Sequence, residues 1–151
     1  MIEDERDREV RRWLRYACED IAAAEALLVG ADIAPREPCW LAQQAGEKAI
    51  KAVLIFQGTH FPRTHDLDVL RNLLEPRWAL RQDPLDLAGL TEWAVEARYP
   101  GDWPDPDEDD AQLAMQTARA VMVSLTADLV RAGFDTEPPD DTGSESQPPS
   151  P

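Results

Sequence analysis

The residues of this chain that are best suited to chemistry gather in one short segment, which contains Arg63, His65 and Asp66. A histidine donates or accepts a proton near neutral pH, so His65 is the candidate acid or base. The guanidinium of Arg63 matches the geometry of a phosphate group. Asp66 follows directly and is the candidate for orienting the imidazole. These residue types predict a catalytic or ligand-binding site in this segment.

The same residues also have a structural interpretation. Asp66 precedes a short apolar segment, and an aspartate there can cap a helix by accepting hydrogen bonds from its free amide groups. His65 would then hydrogen-bond a neighbouring helix and fix the turn. The sequence leaves both interpretations open, and with them the question of whether the chain is an enzyme.

Four further residues are candidates for contacts with a ligand. Lys48 and Lys51 precede the histidine segment and either add positive charge for a nucleotide or pair with acids. Arg98 and Tyr99 either recognise a ligand or pack a loop against the rest of the protein. The sequence has no glycine-rich phosphate loop, no CxxC pair and no nucleophile motif. The acidic run at residues 102–110 lacks the spacing and glycine of a calcium loop, so we expect neither a metal nor a cofactor.

Helical periodicity predicts an all-α fold that positions these residues. Apolar side chains recur at steps of three and four, and no segment alternates convincingly with period two. The expected architecture is an antiparallel up-and-down bundle of four main helices with one short extra helix. The main helices are predicted at residues 4–29, 39–57, 83–98 and 106–132, and the short helix at residues 66–75.

The second predicted helix carries a stripe of small residues, which favours close packing against another backbone. The sequence does not say whether that neighbour is internal or belongs to a second chain. On the same helix, Glu47 and Lys51 are four residues apart in the favourable order, so we expect them to pair on its outside. The small-residue stripe consists of Ala42, Ala45, Gly46, Ala49 and Val53.

Charge is concentrated in two segments of the chain. The formal net charge is -15, from 30 acids and 15 bases, and residues 102–110 and 135–151 hold acids but no base. The rest is only mildly acidic and lacks a strongly basic face, so we expect no sequence-specific DNA readout. The most basic surface is the first helix, which is either a solvated face or a surface for an anionic partner. Its arginines are Arg6, Arg8, Arg11, Arg12 and Arg15.

The composition predicts one domain at residues 1–133 and a disordered acidic tail rich in Pro and Ser at residues 134–151. Cys18 and Cys39 match no metal or redox motif. We expect two reduced core thiols, with a disulfide between helices as the alternative. The N-terminus is too charged for a signal peptide, and no apolar run approaches the roughly 20 residues of a membrane span. A soluble, cytoplasmic protein without a membrane contact is expected.

Three motifs in a fixed order give the chain a resemblance to the HEPN domain, over about residues 8–132. They are Gln-Gln-Ala-x-Glu-Lys-Ala-x-Lys-Ala at residues 43–52, Pro-x-Thr-His-Asp-Leu at residues 62–67 and Ala-Arg-Tyr-Pro at residues 97–100. The second motif resembles the nucleotidyltransferase-associated branch, whose members act in toxin–antitoxin-type pairs. The resemblance implies a helical bundle that often forms homodimers. It also implies binding of a nucleotide, of RNA or of a partner nucleotidyltransferase.

Many HEPN proteins are metal-independent ribonucleases that use an arginine and a histidine at a characteristic spacing. Neither His60 nor His65 has an arginine at that spacing, and Arg63 lies only two residues before His65. The preferred interpretation is therefore a HEPN module that binds a nucleotide, RNA or a partner protein. One alternative is a divergent ribonuclease toxin that uses Arg63 and His65. A further alternative is an interaction module without a ligand site.

Overall fold

The computed structural model describes residues 4–30 and 32–136. The described residues contain helices and no strand, so the predicted all-α class is confirmed. In chain order the elements are α1 (Glu5–Val29), α2 (Arg36–Gln57), α3 (Leu67–Arg71), a 3-10 helix (Ala79–Gln82), α4 (Leu87–Glu92) and α5 (Glu108–Arg131).

Helix α2 packs against both α1 and α5. Arg6 at the start of α1 donates from Nη1 to the carbonyl oxygen of Phe56 at 3.4 Å, so α1 and α2 run antiparallel. Phe134 follows α5, and its ring centroid lies 5.7 Å from that of Phe56. Helix α5 therefore ends beside the end of α2. The segment that connects α2 to α5 contains α3, the 3-10 helix and α4, and it carries the chain back to the start of α5.

The segment between α2 and α5 is divided into short elements, although the sequence predicted one main helix at residues 83–98. Helix α4 begins only after Asp86, whose side chain accepts from the amide of Gly89 at 2.9 Å. Beyond α4 most amides bond three residues back, as from Ala94 to the carbonyl of Thr91, whereas those of Glu96 and Tyr99 bond four residues back. These tighter turns bury Ala94 and Ala97, and that burial outweighs the regular helix expected from the sequence.

The acidic segment before α5 serves as its cap. The side chain of Asp107 accepts from the amide of Asp110 at 2.8 Å, and the carboxylate of Asp110 accepts from the amide of Asp107 at 2.9 Å. This reciprocal capping box satisfies two amide groups that a helix start leaves free. Helix α5 therefore begins within two residues of the predicted position.

The small-residue stripe of α2 packs inside the chain. All five of its residues are buried. A Cβ added to Gly46 would lie 3.3 Å from Cδ2 of Leu90 and 3.6 Å from Cδ1 of Leu67. The neighbours of the stripe at this point are therefore α3 and α4, which approach α2 closely because position 46 has no side chain.

The residues that follow α5 pack against α1. Gly133 turns the chain with a positive φ of 86°, and Phe134 is only 5% exposed. The guanidinium of Arg11 lies 4.9 Å from the ring centroid of Phe134 and donates to the carbonyl of Asp135 at 2.6 Å. The packed body thus includes Phe134, one residue beyond the predicted domain end. The predicted tail from residue 137 onward lies outside the described residues.

The two cysteines have different environments. Cys39 is buried, whereas Cys18 is exposed on α1, so the expectation of two core thiols is wrong for Cys18. Burial raises the pKa of the Cys39 thiol to about 12, and the nearby carboxylates of Asp110 and Asp107 contribute to that rise. Both thiols are free.

We expect Cys18 alone to react with an aromatic disulfide reagent in the folded protein at about pH 8, because Cys18 is exposed and Cys39 is enclosed. Partial burial raises the pKa of Cys18 as well, but Cys39, with a pKa of about 12, supplies almost no thiolate, which is the reactive form. A thiol titration should give one fast equivalent in buffer and a second only after unfolding in guanidinium. The variant Cys18→Ser is the control and should lose the fast equivalent alone. Two fast equivalents in the folded wild type would contradict the enclosure of Cys39.

Candidate functional site

The histidine segment lies along α2 and is held there by its backbone. The buried amide of Gln43 donates to the carbonyl oxygen of His65 at 3.1 Å. The amide of Leu67 donates to Oγ1 of Thr91 at 3.1 Å, which joins the start of α3 to α4. The position of the imidazole is therefore determined by three helices rather than by the loop alone.

Asp66 caps α3. Its Oδ1 accepts from the amides of Asp68 at 3.0 Å and Val69 at 3.3 Å. This geometry matches the capping interpretation of the sequence. The hydrogen bonds of the Asp66 carboxylate go to α3, and the carboxylate that contacts the imidazole comes from another residue.

That carboxylate belongs to Glu47. Its Oε1 lies 2.9 Å from Nδ1 of His65 and 2.9 Å from Nζ of Lys51. The side chain of Glu47 is 5% exposed and that of Lys51 is 13% exposed, whereas the imidazole is 61% exposed. The predicted pairing of Glu47 with Lys51 is thus present, but Glu47 is buried and Lys51 is largely covered, so the pair does not lie on the outside of the helix.

The contact with Glu47 is the basis on which we assign the tautomer of the imidazole. An ionised carboxylate only accepts hydrogen bonds, so we assign the proton to Nδ1 of His65, facing Glu47. The other ring nitrogen, Nε2, is then the one that can accept a proton or contact a ligand. A buried carboxylate that orients an exposed imidazole is the arrangement that general acid–base catalysis uses.

Further polar and aromatic groups surround Glu47. Nε2 of Gln44 donates to Oε2 of Glu47 at 3.3 Å and to the side-chain oxygen of Gln43 at 2.7 Å. Nζ of Lys51 lies 6.0 Å from the ring centroid of Trp13 and 5.6 Å from that of Phe61. The surrounding groups thus satisfy both oxygens of the buried carboxylate and cover the ammonium group with aromatic rings.

The candidate cations differ in their partners. Lys48 pairs with Asp20 of α1 at 2.6 Å, and Lys51 pairs with Glu47, as the sequence allowed. Arg63 is exposed, and the described part of the chain offers it no carboxylate partner. The lysines are therefore largely neutralised, whereas no carboxylate among the described residues offsets the charge of Arg63.

Arg98 and Tyr99 lie beside the start of α2, next to Trp40. The guanidinium of Arg98 is 5.7 Å from the ring centroid of Trp40 and 5.2 Å from that of Tyr99, which is 55% exposed. Trp40 precedes Glu47 by seven residues on the same face of α2, a rise of roughly 10 Å. Arg98 and His65 therefore flank one face of this helix.

The arginines of α1 are mostly committed within the chain. Arg6 pairs with Asp7 at 2.9 Å, and Arg12 pairs with Glu9 at 3.5 Å. Arg15 and Glu19 also approach one another, at 3.8 Å. These pairs agree with the solvated-face interpretation of the flank. They weaken the case for an anion surface on α1.

Glu47, Gln43 and Gln44 are the site residues that sequence reasoning missed. The signal was their place in the first motif, where polar residues at positions 43, 47 and 51 interrupt a face of small apolar ones. A polar residue inside a buried stripe needs a partner, and His65 lies in the next segment of the chain. The helical spacing alone was compatible with an exposed pair.

Across residues 4–30 and 32–136, no group of three or more His, Cys, Asp or Glu side chains is arranged to hold a metal ion. None of the described helices is long and apolar enough to cross a lipid bilayer.

Comparisons with known proteins give this fold a family. The HEPN domain family matches residues 10–126. The fold is similar to TT1696 from Thermus thermophilus (TM-score 0.68, 23% identity), over 80% of this chain and 98% of that chain. It is also similar to ST0689, an archaeal HEPN homologue (TM-score 0.57, 26% identity), over 78% of this chain and 95% of that chain. A search of curated proteins gave no significant match. The chain belongs to the HEPN domain family.

Proposed function

We propose that this HEPN protein binds a nucleotide or RNA through the surface formed by Arg63, His65 and Arg98. The observation that carries the proposal is the buried carboxylate of Glu47, which holds the exposed imidazole through Nδ1 at 2.9 Å. Among the described residues, none forms a hydrogen bond with Nε2 of that imidazole. A buried carboxylate that pairs with Lys51 and also holds an exposed ring leaves that ring available for recognition or proton transfer.

Charge on this face supports an anionic ligand. Arg63 and Arg98 are exposed, and neither has a carboxylate partner among the described residues. The chain as a whole has a formal charge of -15, so such cations stand out from an acidic background. The rings of Trp40 and Tyr99 lie beside Arg98 and offer surfaces on which a base can stack. Phosphate contacts beside the middle of α2 and stacking beside its start suit a nucleotide-sized or longer ligand.

The binding proposal predicts that Arg63→Ala and Arg98→Ala each weaken ligand binding by roughly tenfold, the effect of one charge-assisted hydrogen bond. Fluorescence anisotropy with a labelled single-stranded RNA, with ATP as competitor, measures this. Arg15→Ala is the matched control, because that arginine is exposed but pairs with Glu19 on α1. Equal binding by all three variants would contradict the proposed surface.

Metal-independent RNA cleavage is the second candidate function, and the Glu47–His65 contact favours it. Removal of a general base reduces a rate by about a hundredfold or more, so His65→Ala should abolish most cleavage measured in EDTA. Arg63→Ala should reduce it as well, and circular dichroism should show both variants folded. If the wild type cleaves none of several RNAs, the site is a binding site without this activity.

We also propose that the protein forms a homodimer and acts with a nucleotidyltransferase in a toxin–antitoxin-type pair. The motifs at residues 43–52 and 62–67, which resemble the nucleotidyltransferase-associated branch, support this assignment. Co-expression with a nucleotidyltransferase encoded beside it should yield a complex that survives size-exclusion chromatography. Separate elution of the two proteins at micromolar concentration would count against the pairing.

A further inference from the structure

The outward face of α5 is apolar where a surface helix usually carries charge. Val123 is 70% exposed and Val130 is 55% exposed. Together with two alanines they recur at alternating steps of three and four residues, which is the spacing of a coiled-coil seam. This outer seam consists of Ala120, Val123, Ala127 and Val130.

The outer seam is distinct from the side of α5 that builds the core. Ala118, Val121, Leu125 and Leu129 are buried and pack inside the domain. The outer seam instead borders a shallow groove of about 580 Å³. Within the described residues no element covers this groove. Helix α5 therefore has two apolar stripes, of which the fold uses one.

The charges around the outer seam point to its occupant. From Arg119 to Arg131 the only carboxylate of α5 is that of Asp128, which is 8% exposed and accepts from the amide of Ala79 at 2.8 Å. Arg119 is itself paired with Glu25 of α1 at 2.6 Å, and Arg131, which lines the groove, is paired with Asp128 at 2.5 Å. The excess acids of the chain lie largely in residues 102–110 and 135–151, and none of them belongs to the outer seam. Two copies can therefore meet at the outer seam without bringing those acidic segments into the contact.

We infer that α5 pairs with α5 of a second copy of this chain through the outer seam, about a two-fold axis. Alternating alanine and valine lets the two helix axes approach closely while the branched side chains interdigitate. A two-fold axis places the same neutral stripe on both sides, so the surface is complementary to itself. The inference rests on the homodimer proposed above and assigns it a contact surface.

Sedimentation equilibrium of the full chain tests the inference with charged variants of Val123, and melting curves of the same variants separate dissociation from a folding defect. The wild type should be dimeric. Val123→Asp and Val123→Lys should each raise the dimer dissociation constant by roughly a hundredfold, because like charges then face one another. An equimolar mixture of the two variants should associate again. Val95→Asp, at a valine that is 53% exposed elsewhere, should remain dimeric.

The outcomes separate this inference from the proposal on which it rests. A monomeric wild type would overturn both the homodimer and the outer seam. A dimeric wild type whose Val123 variants dimerise equally well would overturn the seam and leave a homodimer through another surface. If the folded single variants dissociate but their mixture does not re-associate, the direct α5–α5 contact is overturned.

Discussion

Replacement of Glu47 by alanine is expected to lower the free energy of unfolding by about 3 kcal/mol, which corresponds to a fall of about 10 °C in the melting temperature. The carboxylate is buried and accepts from Lys51 and His65 through the same oxygen. Its removal leaves the ammonium group of Lys51, which is 13% exposed, without a counter-charge. Urea unfolding followed by circular dichroism measures the loss.

Two further variants identify the cause of that loss. Glu19→Ala removes an exposed glutamate that also pairs four residues away on a helix, and it should change stability by only about 0.5 kcal/mol. The double variant Glu47→Ala/Lys51→Met should recover at least about 1 kcal/mol over Glu47→Ala, because no unpaired charge remains buried. If Glu47→Ala lowers the free energy of unfolding no more than Glu19→Ala does, the contacts of Glu47 with Lys51 and His65 contribute little to stability.

The substitution Gly46→Leu is expected to destabilise the protein by about 3 kcal/mol, the upper part of the usual range for overpacking. A Cβ alone would lie 3.3 Å from Leu90 and 3.6 Å from Leu67, and the leucine side chain extends well beyond its Cβ. Helices α3 and α4 would have to move away from α2. Because His65 lies two residues before Leu67, ligand binding should weaken in the same variant. Thermal unfolding and RNA anisotropy measure the two effects.

The controls for this substitution vary the size and the place of the added side chain. Gly46→Ala should be close to neutral, because the helix propensity of alanine, worth about 1 kcal/mol over glycine, offsets a small shift of Leu90. Ala23→Leu on the exposed face of α1 should stay within about 0.5 kcal/mol of the wild type. A Gly46→Leu protein that melts like the wild type would show that α3 and α4 do not depend on the small residue.

The sequence predicted the long helices well because each has a strong local signal. Helix α1 carries apolar residues at helical spacing up to Gly30, and α5 opens with an acidic cap and closes just before Gly133. The weaker segment at residues 83–98 contains the same kind of apolar residues but forms only the six residues of α4. The conformation of this segment depends on the burial of Ala94 and Ala97, and local periodicity does not reflect that tertiary contribution.

By itself the sequence determined the all-α class, the family motifs and the choice of His65 as the residue to examine. The tertiary structure alone decided what that histidine contacts. Glu47 and His65 are eighteen residues apart, and they meet because Gly46 allows α3 and α4 to approach α2 and carry the loop with them. A contact between a helix and a distant loop depends on the sum of many packing interactions. The spacing of residues along the chain records local preferences only, so it could not distinguish a buried Glu47 from an exposed one.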